Sequence, residues 1–306
     1  MQTHEHRNFW SEVFTLHNAV SPCVKSRMMA FGAFALVVWA VGVHTTLIPA
    51  SEVAHFELIG AALAVLLMLR TNTGYDRWYE GRKLWGGIVN QSRNLAQIGL
   101  AYGPDDEQWR PRLVRWGAGC PHVCRHSLRS DGNVDDLQGL LGDDIDGLRS
   151  AQHYPLYVSQ RIAAMLREAL DEGQMDRFAF MQADQQRTQL IDHIGACERI
   201  LKTPLAKALS VKIRRFLVLY LIALPFGIFD KAGIMTPIIV MLVSYPLVSL
   251  DQISVDLQNP FSVHRLSHLP LDEICCTIEK NVFALLDQET VAELEARLAA
   301  DSRLAV

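Results

Sequence analysis

The chain has 306 residues and 34.3 kDa, is 50% hydrophobic and 20% charged, and carries a formal net charge of −4 with a pI near 6.3. That apolar content excludes a disordered chain, 19 Gly and 12 Pro are too few for a collagen-like or low-complexity one, and the balanced charge argues against a nucleic-acid binder. Six unevenly spaced cysteines are too few for a disulfide scaffold and read as reduced thiols.

The averages conceal segregation. Met28 to Ile48 is a 21-residue run with no acid or base beyond His44. About 20 apolar residues cross a bilayer, so this run spans by itself; it starts too late and runs too long for a cleavable signal peptide. His44, near its outer end, reads either as a pH-sensitive group at a vestibule or as a hydrated interfacial histidine. A second run, Leu58 to Leu69, has 12 residues and stops at Arg70.

The helix that contains this second run is expected from about His55 to Arg82, leaving the membrane and continuing beyond it. Ala61, Val65 and Leu69 stand at i, i+4 and i+8, on one face. Around the axis of a symmetric oligomer they would form successive apolar collars, which gate by dewetting. The alternative is a stripe that packs on neighbouring helices. Below it, Asp76, Arg77 and Glu80 read either as inner-pore lining or as salt bridges between subunits.

Residues 85–212 read as a cytosolic helical region. Leu156, Ile162, Met165, Leu166 and Leu170 keep helical spacing, and Gly103-Pro104-Asp105-Asp106 and Ser130-Asp131-Gly132-Asn133 are turn clusters. Cys120, His122, Cys124 and His126 form the most metal-like spacing in the chain. On a helix, residues two apart point about 200° from each other, so only Cys120 with Cys124, or His122 with His126, share a face. Packed thiols are the expected role, with Cys120 and Cys124 the remaining metal candidates; Cys275 and Cys276 read the same way.

Residues 213–252 carry the third and fourth apolar runs, Phe216 to Phe229 with Pro225 inside and Ala232 to Leu250 with Pro237 and Pro246 inside. Membrane helices tolerate such prolines because neighbours satisfy the freed carbonyls. The second and third runs are short enough to be buried core helices instead. Charge decides for spans. Lys25 and Arg27 precede the first run, Arg70, Arg77, Arg82 and Lys83 follow the second, and Lys212, Arg214 and Arg215 precede the third. The link from Pro49 to Phe56 has no Lys or Arg, and the link between the last two runs has only Lys231. Four spans with both termini and the middle inside obey the positive-inside rule.

Residues 253–306 close the chain with another helical pattern, Ile274, Ile278, Val282, Leu285 and Leu286. No segment alternates with period two. The expected fold is therefore an all-α integral membrane protein, with residues 1–84, 85–212, 213–252 and 253–306 as parts of one continuous unit. No phosphate loop, carboxylate pair or nucleophile–base motif points to an enzyme, and no cofactor is expected.

The stretch Arg70-Thr71-Asn72-Thr73-Gly74-Tyr75-Asp76-Arg77-Trp78-Tyr79-Glu80-Gly81-Arg82-Lys83-Leu84-Trp85 resembles the signature of the bestrophin family, most of all its bacterial branch. The resemblance extends to Ser21-Pro22-Cys23-Val24, Cys197-Glu198-Arg199-Ile200 with Thr203-Pro204, Asn259-Pro260-Phe261, and Leu271-Asp272-Glu273-Ile274 with Thr277-Ile278-Glu279. It implies a homopentameric ion channel in the bacterial inner membrane, in contact with lipid, passing small inorganic ions and binding no nucleic acid. The second helices would line an apolar neck at Ala61, Val65 and Leu69, with an exit constriction at Leu205. The family favours bulky residues at the neck, so Ala61 is a departure.

Eukaryotic members carry an acidic calcium-binding run after Asn-Pro-Phe. Here that stretch reads Ser262-Val263-His264-Arg265-Leu266-Ser267-His268, without carboxylates, so calcium activation is not carried over. Asp251 and Asp256 remain as weak candidate ligands. Chloride is the family expectation, while the charge of −4 per chain favours cations in a cytosolic vestibule. The competing readings are a membrane-anchored, non-conducting scaffold whose cytosolic helices bind a partner, and a secondary transporter, for which no mid-membrane charge is present.

Overall fold

The apolar runs become helices that turn back on one another, because only a helix satisfies its own backbone in an apolar solvent. The structure is a computed structural model that describes residues 22–45, 53–130, 133–204, 207–265 and 267–286. Its longer helices in chain order are α1 (Pro22–His44), α2 (Val53–Tyr102) and α3 (Trp109–Arg129), then after two short helices, α4 (Gln138–Leu141) and α5 (Ile145–Arg149), come α6 (Tyr154–Asp171), α7 (Arg177–Lys202), α8 (Lys207–Ala232), α9 (Thr236–Asp256) and α10 (Leu271–Phe283). No strand occurs among the described residues. They fall into two compact units: one takes them up to Trp78, from Pro204 to Asn259, and at 265 and 267; the other takes Tyr79 to Thr203, 260–264 and 268 onward.

In the first unit three stretches are long and apolar enough to cross a membrane: Pro22–His44, the stretch beginning at His55, and Ala208–Asp256. The last of these is interrupted by a short 3-10 turn, Gly233–Met235, where α8 ends and α9 begins. Leu217 and Leu221 pack in one cluster with Leu247 and Val248, while Leu224 and Ile228 meet Val240 in another, so α9 runs back along α8. Val24 belongs to the first cluster and Ala35 to the second, which makes α1 antiparallel to α9. Leu63 and Leu67 of α2 join the first cluster and Phe56 packs on the second.

Small residues allow these close approaches, as in membrane helices generally. A Cβ on Gly60 would stand 2.6 Å from the Tyr220 hydroxyl, one on Gly32 2.7 Å from the Met241 sulfur, and one on Gly227 against the Phe56 ring. The outer faces stay apolar: Leu58 is 75% exposed, Leu242 72% and Leu219 64%. Helices that are hydrophobic all round belong in an apolar solvent.

In the second unit the helices are amphipathic. Trp85, Ile88 and Leu95 of α2, Trp116 and Val123 of α3, Ile162 and Leu166 of α6, Leu190 and Ile194 of α7, and Ile278 and Val282 of α10 are all buried. The spacing of Trp85, Ile88, Ser92 and Leu95 explains why α2 runs to Tyr102 and not only to Arg82. A core stripe at three- and four-residue intervals continues past the charged tail until Gly103-Pro104 ends it. Asp176 caps α7 by accepting from the backbone N–H of Phe178 at 2.7 Å, and His153 caps α6 by accepting from Leu156 at 3.2 Å.

Candidate functional site: the second helix

Within the first unit α2 has two faces. Leu63 and Leu67 are fully buried, Arg70 is 4% exposed, and Gly74 is buried. At about 100° per residue these positions cluster on one side of the helix. Val65 and Leu69 are each 58% exposed and Ala61 is exposed too; they point roughly the opposite way. The i, i+4, i+8 stripe is therefore not the stripe that packs inside the subunit. Asn72 and Asp76, also exposed, prolong that outward face from apolar to polar. The Thr71 and Thr73 hydroxyls donate back to the carbonyls of Leu67 and Leu69 at 2.9 Å, which satisfies them without a neighbour.

The inward face is held by the signature residues. The Arg70 guanidinium pairs with the buried Asp251 carboxylate of α9. Arg214 of α8 donates to the same carboxylate through Nε at 3.0 Å. A turn further, a Cβ on Gly74 would meet the Ser254 carbonyl at 3.2 Å. Arg77 Nε then donates to the Gln258 carbonyl at 3.3 Å, and Trp78 Nε1 to the Ser267 carbonyl at 2.7 Å. Asp256 accepts from Gln252 at 3.1 Å and pairs with Arg265 at 3.3 Å. Both carboxylates considered as calcium ligands are thus engaged by protein donors.

In the second unit Glu80 pairs with Arg199 of α7 at 3.3 Å, a bridge inside the chain. Of the three charged residues grouped in the sequence, Arg77 and Glu80 are occupied by intrachain partners, and Asp76 is exposed on the outward face. Leu205, expected at an exit constriction, lies outside the described residues.

The Cys/His run on α3 divides as helical geometry requires. Cys120 and Cys124 point into the core, 1% and 0% exposed, and burial pushes the Cys120 thiol up to about 12 and that of Cys124 well above its ordinary value. His122 and His126 share the other face. His122 meets Glu279 at 3.1 Å, and His126 meets Asp136 at 2.9 Å. Among the described residues, no three His, Cys, Asp or Glu side chains are placed to hold a metal ion. Arg125, Arg129 and His126 with Asp136 and Asp272 line a cavity of about 290 Å³ in this unit, and its charges are already paired.

Sequence reasoning missed the Arg70–Asp251–Arg214 cluster, although a signal existed. Arg70 is the first charge after the second apolar run and Asp251 the first after the fourth.

Comparison with known proteins places this architecture. The family model described as Bacterial/Fungal Bestrophin protein matches residues 1–284. A voltage-dependent anion channel-forming protein of Ralstonia nicotianae is 30% identical, over 96% of this chain and 97% of that protein. A protein of the same name from a Nostoc species is 30% identical over 90% of this chain and 91% of its own. The crystal structure of a bacterial bestrophin homologue from Klebsiella pneumoniae superposes with a TM-score of 0.80 at 24% identity, covering 86% of this chain and 98% of that one.

Proposed function

The chain belongs to the bacterial and fungal bestrophin family, and from that premise we propose that it is an ion channel built from five copies around an axial pathway. The observation that carries the reading is the outward face of α2. Ala61, Val65 and Leu69 are exposed on the subunit while the opposite face is packed, and the same line continues into Asn72 and Asp76. Supporting this reading, the face is apolar within the span, is not used for packing inside the subunit, and turns polar where the helix leaves the membrane. The three apolar positions form the neck, which admits ions by size and dehydration cost.

Each subunit crosses the inner membrane four times, as α1, the first half of α2, α8 and α9, with both termini in the cytoplasm. Supporting this, Lys25, Arg27, Lys212, Arg214 and Arg215 are exposed near the end of the first unit that holds Val24 and Ile213. The permeant ions are small monovalent anions, chloride foremost, in keeping with the names of the relatives. The chain is a conduit and not an enzyme.

The test is reconstitution of the full chain into liposomes and planar bilayers under a KCl gradient. A current reversing near the chloride equilibrium potential is expected. Reversal near the potassium potential would overturn the anion assignment. A stable oligomer with no flux in any salt would overturn the channel and leave the scaffold.

A further inference from the structure

Three rungs join α2 to α9 and the residues just after it, each one helical turn below the last: Arg70 with Asp251, Gly74 with the Ser254 carbonyl, and Arg77 with the Gln258 carbonyl. Their near-constant spacing along the sequence means that the two helices run parallel here. The second rung is a close approach to backbone and the third uses a backbone acceptor. Only the first has a charged side chain on both helices, and Asp251 is 2% exposed. The same carboxylate also takes Arg214 of α8, so one side chain ties three helices together.

We propose that Asp251 is a positioning residue for conduction: by holding Arg70 it fixes the rotation of α2 about its own axis, and so aims Val65 and Leu69 into the ion pathway. This rests on the reading of that face as the neck. Above Arg70 both faces of α2 are aliphatic, with Leu63 and Leu67 on one side and Val65 and Leu69 on the other. Lipid tails are as apolar as leucine, so aliphatic packing in a membrane has little preference between two such faces. A buried ion pair supplies that preference, and fixing register is the best-attested use of buried polar groups.

Leu69 is the immediate neighbour of Arg70, about 100° round the helix, so the direction of one sets the direction of the other. With Asp251→Asn, Arg70 is left buried without a counter-charge. Its guanidinium is better solvated once it turns toward water, and α2 turns with it.

The test uses the full channel in planar bilayers with the exposed thiols removed as Cys23→Ser and Cys276→Ser. A small anionic methanethiosulfonate is applied, and its reaction at Val65→Cys is read as a change in current. Adding Asp251→Asn should slow that reaction at least about tenfold and speed reaction at Leu66→Cys, one step round the helix, while Asp251→Glu should restore most of the original rate. A merely structural weakening would not move the two sites in opposite directions.

Should Asp251→Asn fail to assemble, Arg70→Lys, which keeps the charge and loses the planar fork, should shift both rates the same way by a smaller factor. Unchanged rates at both positions in an assembled variant would overturn the role of Asp251 alone. If reaction at Val65→Cys never alters the current of an otherwise native, conducting channel, the neck reading fails and the inference with it.

Discussion

Truncating Val65 and Leu69 on the exposed face of α2, and separately Leu63 and Leu67 on its packed face, should separate conduction from stability. Val65 and Leu69 are each 58% exposed on the subunit, whereas Leu63 and Leu67 are fully buried in the cluster shared with α8 and α9. Val65→Ala removes one bond's reach of side chain and Leu69→Ala two, at about 1.5 Å per bond. A collar one water wide, about 1.4 Å in radius, that gains about 1.5 Å roughly quadruples in cross-section. Losing methyls also lowers the dewetting barrier, so single-channel conductance of the double variant should rise on the order of threefold or more.

The thermal midpoint of the solubilised protein should barely move, because these side chains give up few intrasubunit contacts. Leu63→Ala or Leu67→Ala should do the reverse. In lipid the transfer part of the usual cost is absent, but the lost dispersion contacts and the cavity remain, leaving about 2 kcal/mol each. Planar-bilayer recordings and melting curves on the same preparations check both halves. Unchanged conductance in Val65→Ala with Leu69→Ala, from a protein that still conducts, would mean that these side chains face lipid or protein instead of the axis.

A thiol–disulfide reagent at pH 8 should titrate two of the six cysteines in the native chain, exposed Cys23 and, more slowly because part burial pushes its thiol up, Cys276, and all six after denaturation. Burial pushes Cys120, Cys197 and Cys275 up to about 12, so a third fast thiol would contradict the packing. Gly74→Ala should destabilise the first unit by about 1–3 kcal/mol, because its Cβ would stand 3.2 Å from the Ser254 carbonyl and 3.3 Å from Leu257 Cβ, and backbone yields poorly; an unshifted melting curve would refute this.

Hydrogen bonds from Arg129, against a smaller opposing desolvation and with help from Arg125, hold the Asp272 carboxyl below its ordinary value. A depressed folded-state value gives stability that is present above the unfolded value near 3.9 and lost as pH falls through the folded one. The melting midpoint should therefore be level from pH 7 to about 5 and decline below about 4. Asp272→Asn should cost on the order of 1 kcal/mol at pH 7 and shallow the acid decline, an effect kept small because the side chain is 56% exposed.

Which parts of this molecule were legible in the sequence follows from how its solvent changes along the chain. Four apolar runs mark four helices, because lipid tolerates no charge and the runs end where charge begins. The length of α2 was less legible. RTNTGYDRWYEGRKLW reads as the end of a helix by its charge, and only the spacing of Trp85, Ile88, Ser92 and Leu95 says that the helix continues against a second core. The division of Cys120 and Cys124 from His122 and His126 followed from geometry alone. The pairings Arg70–Asp251 and Glu80–Arg199 did not, since each joins positions more than a hundred residues apart that only the fold brings together.

That distinction gives the signature its physical sense. Arg70, Gly74, Arg77 and Trp78 are the residues of α2 that meet α9 and the segment after it, through a carboxylate, a close backbone approach and two carbonyls. Each needs one residue type: a fork long enough to reach Asp251, no side chain at all, and N–H donors. The outward positions within the span carry only apolar side chains of varied size, Ala61, Val65 and Leu69. A motif is therefore recognisable here because it holds the helix, and the exposed face proposed to line the pathway is found by counting round from it. Changing the outward face should alter what passes, and changing the inward face should alter which face is presented.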